Sequence, residues 1–159
     1  MPKSKQSPIL VPVDFSPHSE AALLKACELA ECSKLPIMVL HVVHDPGDMP
    51  SYYSKIANKK QLVRVEDVAA EIFSDFIISV KKRNPKNRVL KKIKTMLVRG
   101  LPVTRIIQVA EKINASMVVM GSLGRTGLSH VLLGSKAEQV VRQCPVPVTI
   151  VKSGPITSG

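Results

Sequence analysis

Five short apolar runs, separated by stretches of helical periodicity, constrain this chain more than any other feature. Residues 9–13 (ILVPV), 36–43 (PIMVLHVV), 93–98 (IKTMLV), 116–120 (SMVVM) and 146–151 (VPVTIV) are strand-length and mostly apolar, as strands covered on both faces of a sheet are. Leu23, Ala26, Cys27 and Ala30 repeat at helical spacing to about Ser33, after a Ser16 that suits an N-cap and a Pro17 that suits the first helical position. Val65, Val68, Ala69, Ile72, Phe73, Phe76, Ile77 and Val80 trace a second stripe, which Asn84-Pro85 ends. Gly100 and Pro102 open a third, carried by Val103, Ile106, Ile107, Ala110 and Ile113. A fourth helix is expected from Ser135, where Ser135-Lys-Ala-Glu138 matches a capping box. Strands alternating with helices call for an α/β fold, a single open, mostly parallel five-stranded sheet with helices on both faces.

Two prolines strain this reading. Pro147 lies inside the fifth run, which argues for an edge strand on the side its nitrogen faces. Pro12 lies inside the first run, which should be central. That conflict eases if Pro12 sits at the strand's carboxyl end, where the ladder already splays.

The 159 residues suit one domain. It is expected over residues 8–152, between a flexible start (1–7) and a disordered tail (153–159), with an exposed loop over 44–54. No apolar run approaches the roughly 20 residues of a membrane span. Asp14 and Ser16 interrupt the run that a signal peptide would need. Cys27, Cys32 and Cys144 form no CxxC pair and read as reduced thiols. A cytoplasmic protein is the expectation. The net charge of +11 is concentrated in Lys81, Lys82, Arg83, Lys86, Arg88, Lys91, Lys92 and Lys94, while aromatic residues make up only 3% of the chain. Nucleic-acid or membrane-surface binding through residues 81–94 is therefore an alternative, with a solvated helix end as the plainer reading.

Residues 120–135, MGSLGRTGLSHVLLGS, carry the chemistry. Gly121, Gly124, Gly134 and Ser135 form a G-x2-G-x9-G-S pattern that follows an apolar run and ends where a helix begins. Glycines let backbone N–H groups approach phosphate oxygens, and a helix N-terminus attracts anions. Ser135 adds a hydroxyl and Arg125 a charge. The pattern is neither a Walker A loop nor the dinucleotide fingerprint. Ligands of open α/β sheets lie beyond the strands' carboxyl ends, where strand order reverses. If the order is 3-2-1-4-5, strands 1 and 4 flank that crevice, with Asp14 ending strand 1 and Gly121 ending strand 4. Asp14 could accept hydrogen bonds from a ribose or an adenine amino group, or merely complement the helix that follows it.

These residues resemble the universal stress protein family, specifically its ATP-binding branch. The likeness rests on ILVPVDFS (9–16), VLHVV (39–43), MGSLGRTGLSHVLLGSKAEQVV (120–141) and PVPVTIVK (145–152), within about residues 8–152. It implies strand order 3-2-1-4-5, a Rossmann-like fold and a homodimer paired through strand 5. It also implies bound ATP, with AMP or ADP as alternatives, and Mg or Mn bridging the phosphates. By position, Gly121, Gly124, Gly134 and Ser135 would contact phosphates and Asp14 the ribose or adenine. Pro12 and Val13 would line the base pocket, Val42 would offer backbone groups to the adenine edge, and Met120 would pack nearby. The chain departs from the family pattern in residues 44–64 and 81–94.

No nucleophile elbow, Ser/His/Asp signature or two-metal carboxylate cluster is evident. A regulatory ATP-binding protein with at most slow hydrolysis is the leading expectation, and an ATPase or phosphoryl or nucleotidyl transferase the alternative. His41 and His44 could form a metal pair without a third ligand. His18 and His130 lie near the expected crevice mouth.

Overall fold

The apolar runs pair side by side into one sheet. The computed structural model describes residues 6–44, 65–124 and 133–153. Its strands are β1 (Ile9–Pro12), β2 (Ile37–Val43), β3 (Lys94–Arg99), β4 (Met117–Gly121) and β5 (Val148–Val151), in the order β3-β2-β1-β4-β5. All four pairings are parallel. Helices α1 (Pro17–Ser33) and α2 (Val65–Arg83) cover one face, and α3 (Pro102–Lys112) and α4 (Ser135–Gln143) cover the other. The fold is the open, doubly covered α/β sheet expected from the alternation.

Alternate strand residues feed two cores. Ile9, Val11, Val13, Ile37, Val39 and Val119 meet Leu23, Ala26, Phe73 and Val80 on the first face. Leu10, Leu40, Val42, Val118 and Met120 meet Ile106, Val109, Ala137 and Val140 on the second. Each fully buried Leu, Ile or Val contributes about 1.5–3 kcal/mol relative to exposure. The Cys27 thiol belongs to the first core, and burial pushes it up to about 11 against a partial lowering by its hydrogen bond with Asn87. It therefore stays protonated and unreactive near neutral pH.

Local chemistry sets the helix ends. Ser16 accepts a hydrogen bond from the Ser19 N–H, and Pro17 occupies the first turn of α1. Lys34 closes α1 in the left-handed region, its N–H donating to Ala30 O at 2.8 Å. α2 carries Glu66 and Asp67 in its first turn and Lys81, Lys82 and Arg83 in its last, complementing the helix dipole at both ends. Arg83 grips Glu20 of α1 with two hydrogen bonds of 3.1 and 2.7 Å. The basic connector after α2 holds a short 3-10 turn, Leu90–Lys92, anchored by the fully buried Leu90.

The prolines are placed by ladder parity. Ile9 donates to Pro36 O, just before β2, and Val13, just past β1, donates to Leu40 O, so odd residues along β1 face β2 and even residues face β4. Pairing with β4 stops at Leu10↔Val118. Pro12 turns its donorless nitrogen toward β4, where the next rung would need an N–H, so that ladder ends at the carboxyl end of the strand.

Pro147 requires a correction. It precedes β5 rather than lying inside it, and its carbonyl accepts from Val118 of β4 at 2.8 Å. Its nitrogen therefore faces the inner side. Val148 and Ile150 turn their backbone groups outward, and no proline restricts that edge. Strand ends shift elsewhere by a residue: β1 stops at Pro12 rather than Val13, and β4 runs on to include Gly121. The 44–54 loop beyond His44 and most of the expected tail lie outside the described residues.

Candidate functional site

Pairing between β1 and β4 ends at Leu10↔Val118, and the segments leaving the two strands meet beyond it. Phe15, directly after Asp14, takes a left-handed backbone with φ of 69°. For an aromatic residue this costs on the order of 1–3 kcal/mol. Packing holds it in place: its ring centroid lies 4.2 Å from that of His41, 5.5 Å from Phe76 and 5.8 Å from Phe73. His41 is buried, and its Nδ1–H donates to Val13 O at 2.7 Å. A carbonyl can only accept, so this bond fixes the imidazole tautomer. His41 is thus a packed structural histidine in the interior of β2.

This bend delivers Asp14. Its Oδ1 accepts the Ser16 N–H at 3.0 Å, setting the carboxylate at the N-terminus of α1. From the other lip, Gly124 comes close enough that a Cβ placed on it would lie 3.2 Å from Asp14 Oδ2. Gly121 is tighter still, because a Cβ there would lie 2.9 Å from the backbone oxygen of His18 in the first turn of α1. Gly121→Ala is therefore expected to force β4 and α1 apart at a cost of about 1–3 kcal/mol. Thermal unfolding followed by circular dichroism should fall by roughly 3–10 °C; an unchanged midpoint would contradict this close approach.

Ser122 is the pivot of the glycine segment. It is buried, its N–H donates to Val151 O at 3.0 Å, and its carbonyl accepts from Gly134 N–H at 2.6 Å. One residue thereby ties β4 to β5 and draws both ends of the glycine segment together. The start of α4 differs from the expected capping box. Gly134, with extended backbone, is the N-cap, and its carbonyl already accepts from Glu138 N–H at 2.9 Å. Helical bonding therefore begins one residue early, and Ser135 is the first helical residue rather than the cap. No side-chain cap serves α4 among the described residues. The first-turn N–H groups of Ser135, Lys136 and Ala137 consequently have no intrahelical acceptor.

The fold thus gathers Asp14, Gly121, Gly124, Gly134 and Ser135 at the carboxyl edge of the sheet. Val42 lies on β2 beyond the last paired residue of β1. Val43 O accepts from Gly100 N–H on the β3 side, so the neighbouring Val42 turns its backbone groups toward the β1 side. Met120 and Val42 are buried in the second core, while Val13 joins the first and uses its N–H on Leu40 O and its carbonyl on His41. Arg125 and His130 lie outside the described residues. His18 does border the site, with Nδ1 hydrogen-bonded to Ser153 Oγ just past β5. Sequence reasoning missed Ser122, Phe15 and Ser153. Ser122 stood in plain view within Gly-Ser-Leu-Gly, but its role depends on Val151, which only strand pairing brings near. Among the described residues no group of three His, Cys, Asp or Glu is disposed to hold a metal ion, and no helix is long and apolar enough to cross a membrane.

The sequence profile of the universal stress protein family matches residues 7–152. The chain belongs to the universal stress protein family. Among its relatives, universal stress protein MJ0531 of Methanocaldococcus jannaschii is 31% identical over 144 residues, covering 91% of this chain and 81% of the relative. Universal stress protein MJ0577 of the same organism is 28% identical over 155 residues, covering 91% and 93%. The solved structure of MJ0577 superposes with a TM-score of 0.72 at 26% identity, covering 96% of this chain and 99% of that one. Two more distant universal stress proteins were solved with nucleotides. One is a complex with cAMP (TM-score 0.64, 21% identity, 95% and 100% covered). The other, from Archaeoglobus fulgidus, is a complex with dAMP (TM-score 0.58, 22% identity, 94% and 100% covered). At these identities they establish the shared fold of this universal stress protein.

Proposed function

We propose that this universal stress protein binds an adenine nucleotide, ATP in preference to ADP or AMP, in the crevice between β1 and β4. The observation carrying this reading is the ladder that ends at Leu10↔Val118 while Asp14 and Gly124 close over the gap. Asp14 accepts from the ribose hydroxyls or the adenine amino group. Pro12, Val13 and Met120 border the base, and Val42 offers it backbone groups. Gly121, Gly124, Gly134, Ser135 and Arg125 serve the phosphates, with the N-terminus of α4, which no described side chain caps, supplying N–H donors and positive potential. Relatives of the same fold in complex with cAMP and dAMP support an adenine nucleotide as the ligand class.

Mg or Mn enters with the nucleotide. Such an ion would be held by phosphate oxygens and water, leaving Asp14 to the ribose or adenine. The bound ion would neutralise phosphate charge. The chain's own groups bind and orient the nucleotide, which acts as a ligand that biases a surface, with at most slow hydrolysis. The acting unit is a cytoplasmic homodimer paired through the outward backbone groups of Val148 and Ile150. The free thiols of Cys27, Cys32 and Cys144 suit a reducing compartment.

The deciding experiment denatures freshly purified protein and identifies released nucleotide by chromatography and mass spectrometry, followed by calorimetric titration of the stripped protein with Mg-ATP, Mg-ADP and AMP. Released adenine nucleotide, or saturable one-to-one binding with ATP tightest, is the expected result. Failure of all three to bind would remove the phosphate reading of residues 121–135.

A further inference from the structure

The outer edge of β3 combines three features that the nucleotide reading leaves unused. The first is a row of open backbone groups. Gly100 N–H donates to Val43 O, so even residues of β3 face β2 and Ile93, Thr95 and Leu97 turn outward. No described residue pairs with them. Farther along, Arg105 Nε–H donates to Arg99 O at 2.7 Å and closes the edge there.

The second feature is a groove of about 510 Å³ between this edge and α2, lined by Phe73, Ile77, Ile78, Lys81, Ile93 and Leu97 among others. Ile78 is 49% exposed, so about half of a large aliphatic side chain faces the open groove.

The third feature is charge. Residues 81–94 hold eight basic residues and no acid. Arg83 is spent on Glu20, but Lys82, Lys86, Arg88, Lys91, Lys92 and Lys94 are exposed without a carboxylate partner among the described residues. They cluster at the amino end of β3, the opposite end of the sheet from the nucleotide crevice. Lysines often guard edge strands against pairing. Here they crowd one end, while Thr95, Met96, Leu97 and Val98 leave the middle of the edge uncharged.

We propose that the β3 edge receives an extended, acidic segment of a partner protein. The segment adds as a sixth strand beside Ile93–Leu97, places alternate apolar side chains in the groove against α2, and sets its acidic end among Lys91, Lys92 and Lys94. Main-chain hydrogen bonds supply affinity in such strand addition, and pockets beside the strand supply selectivity. Duplex phosphate would satisfy the lysines alone and leave both edge and groove unused. The stretch from 81 to 94 also contains no aromatic residue on which bases could stack.

The test is selection of ten-residue peptides from a displayed random library against the immobilised full chain, followed by fluorescence anisotropy with the enriched peptides synthesised and labelled. Enriched peptides should pair an acidic end with alternating β-branched or aromatic residues. K91E/K92E/K94E should weaken them at least about tenfold, with weaker binding at higher salt. Thr95→Pro removes only an outward N–H and should weaken them roughly five- to tenfold. If Thr95→Pro melts early, Ile78→Glu tests the groove at an exposed site instead. Gly124→Asp should leave peptide affinity unchanged, which separates this surface from the nucleotide site. Absence of enrichment, or peptides indifferent to these variants, would overturn the proposal. So would a 20-base-pair DNA duplex or phosphatidylserine vesicles binding through the lysines, with no peptide response to Thr95→Pro or Ile78→Glu; the surface would then read charge alone.

Discussion

Replacing Gly124 with Asp is expected to lower Mg-ATP affinity about 100-fold or more, equivalent to at least about 2.7 kcal/mol. A Cβ at this position already lies 3.2 Å from Asp14 Oδ2. The new carboxylate would therefore meet a like charge on one side and the nucleotide phosphates on the other. Both contacts are poorly screened once ligand excludes water from the crevice. The free protein can turn the new side chain into solvent, so its thermal midpoint should move by only a few degrees. Calorimetry with Mg-ATP beside a circular-dichroism melt separates the two effects. Retained affinity in a folded variant would remove Gly124 from the phosphate site. Lost affinity with a collapsed melt would instead assign the glycine a packing role.

Leu23→Ala should cost more stability than Gly121→Ala or Gly124→Asp, about 2–5 kcal/mol. Leu23 is fully buried on α1 within the core that also holds Ile9, Val119 and Phe73. Truncation leaves a void where the first helix seats on the sheet, and neighbours on two rigid layers cannot close it fully. The melting temperature should fall by roughly 5–15 °C. Mg-ATP affinity measured well below that temperature should persist, because Leu23 lies under the helix rather than at its crevice end. A drop of less than about 2 °C would mean that α1 relaxes onto the sheet more readily than its packing indicates.

Much of the fold was legible because parallel strands buried on both faces must be apolar throughout, and the helices that cover them must repeat at helical spacing. That requirement located all five strands to within about two residues and placed Ser16 and Pro17 at a helix start. The site was legible in part. Gly121, Gly124 and Gly134 stood out because backbone approach demands residues without a side chain, and Asp14 because it ends the strand expected at the switch point. The sequence by itself determined these alternations and local signals, since they depend on neighbours three or four positions away.

Only the tertiary structure decided which side each backbone group faces, because ladder parity depends on pairing with residues distant in the chain. Parity aims the donorless nitrogen of Pro12 at β4, where the ladder ends, turns Pro147 inward and turns Val148 and Ile150 outward on β5. The same long-range pairing gives Ser122 its role between Val151 and Gly134. It also buries His41 under a strained Phe15. Hydrogen-bond direction and close packing are properties of pairs that the fold brings together, and no window of sequence contains both members.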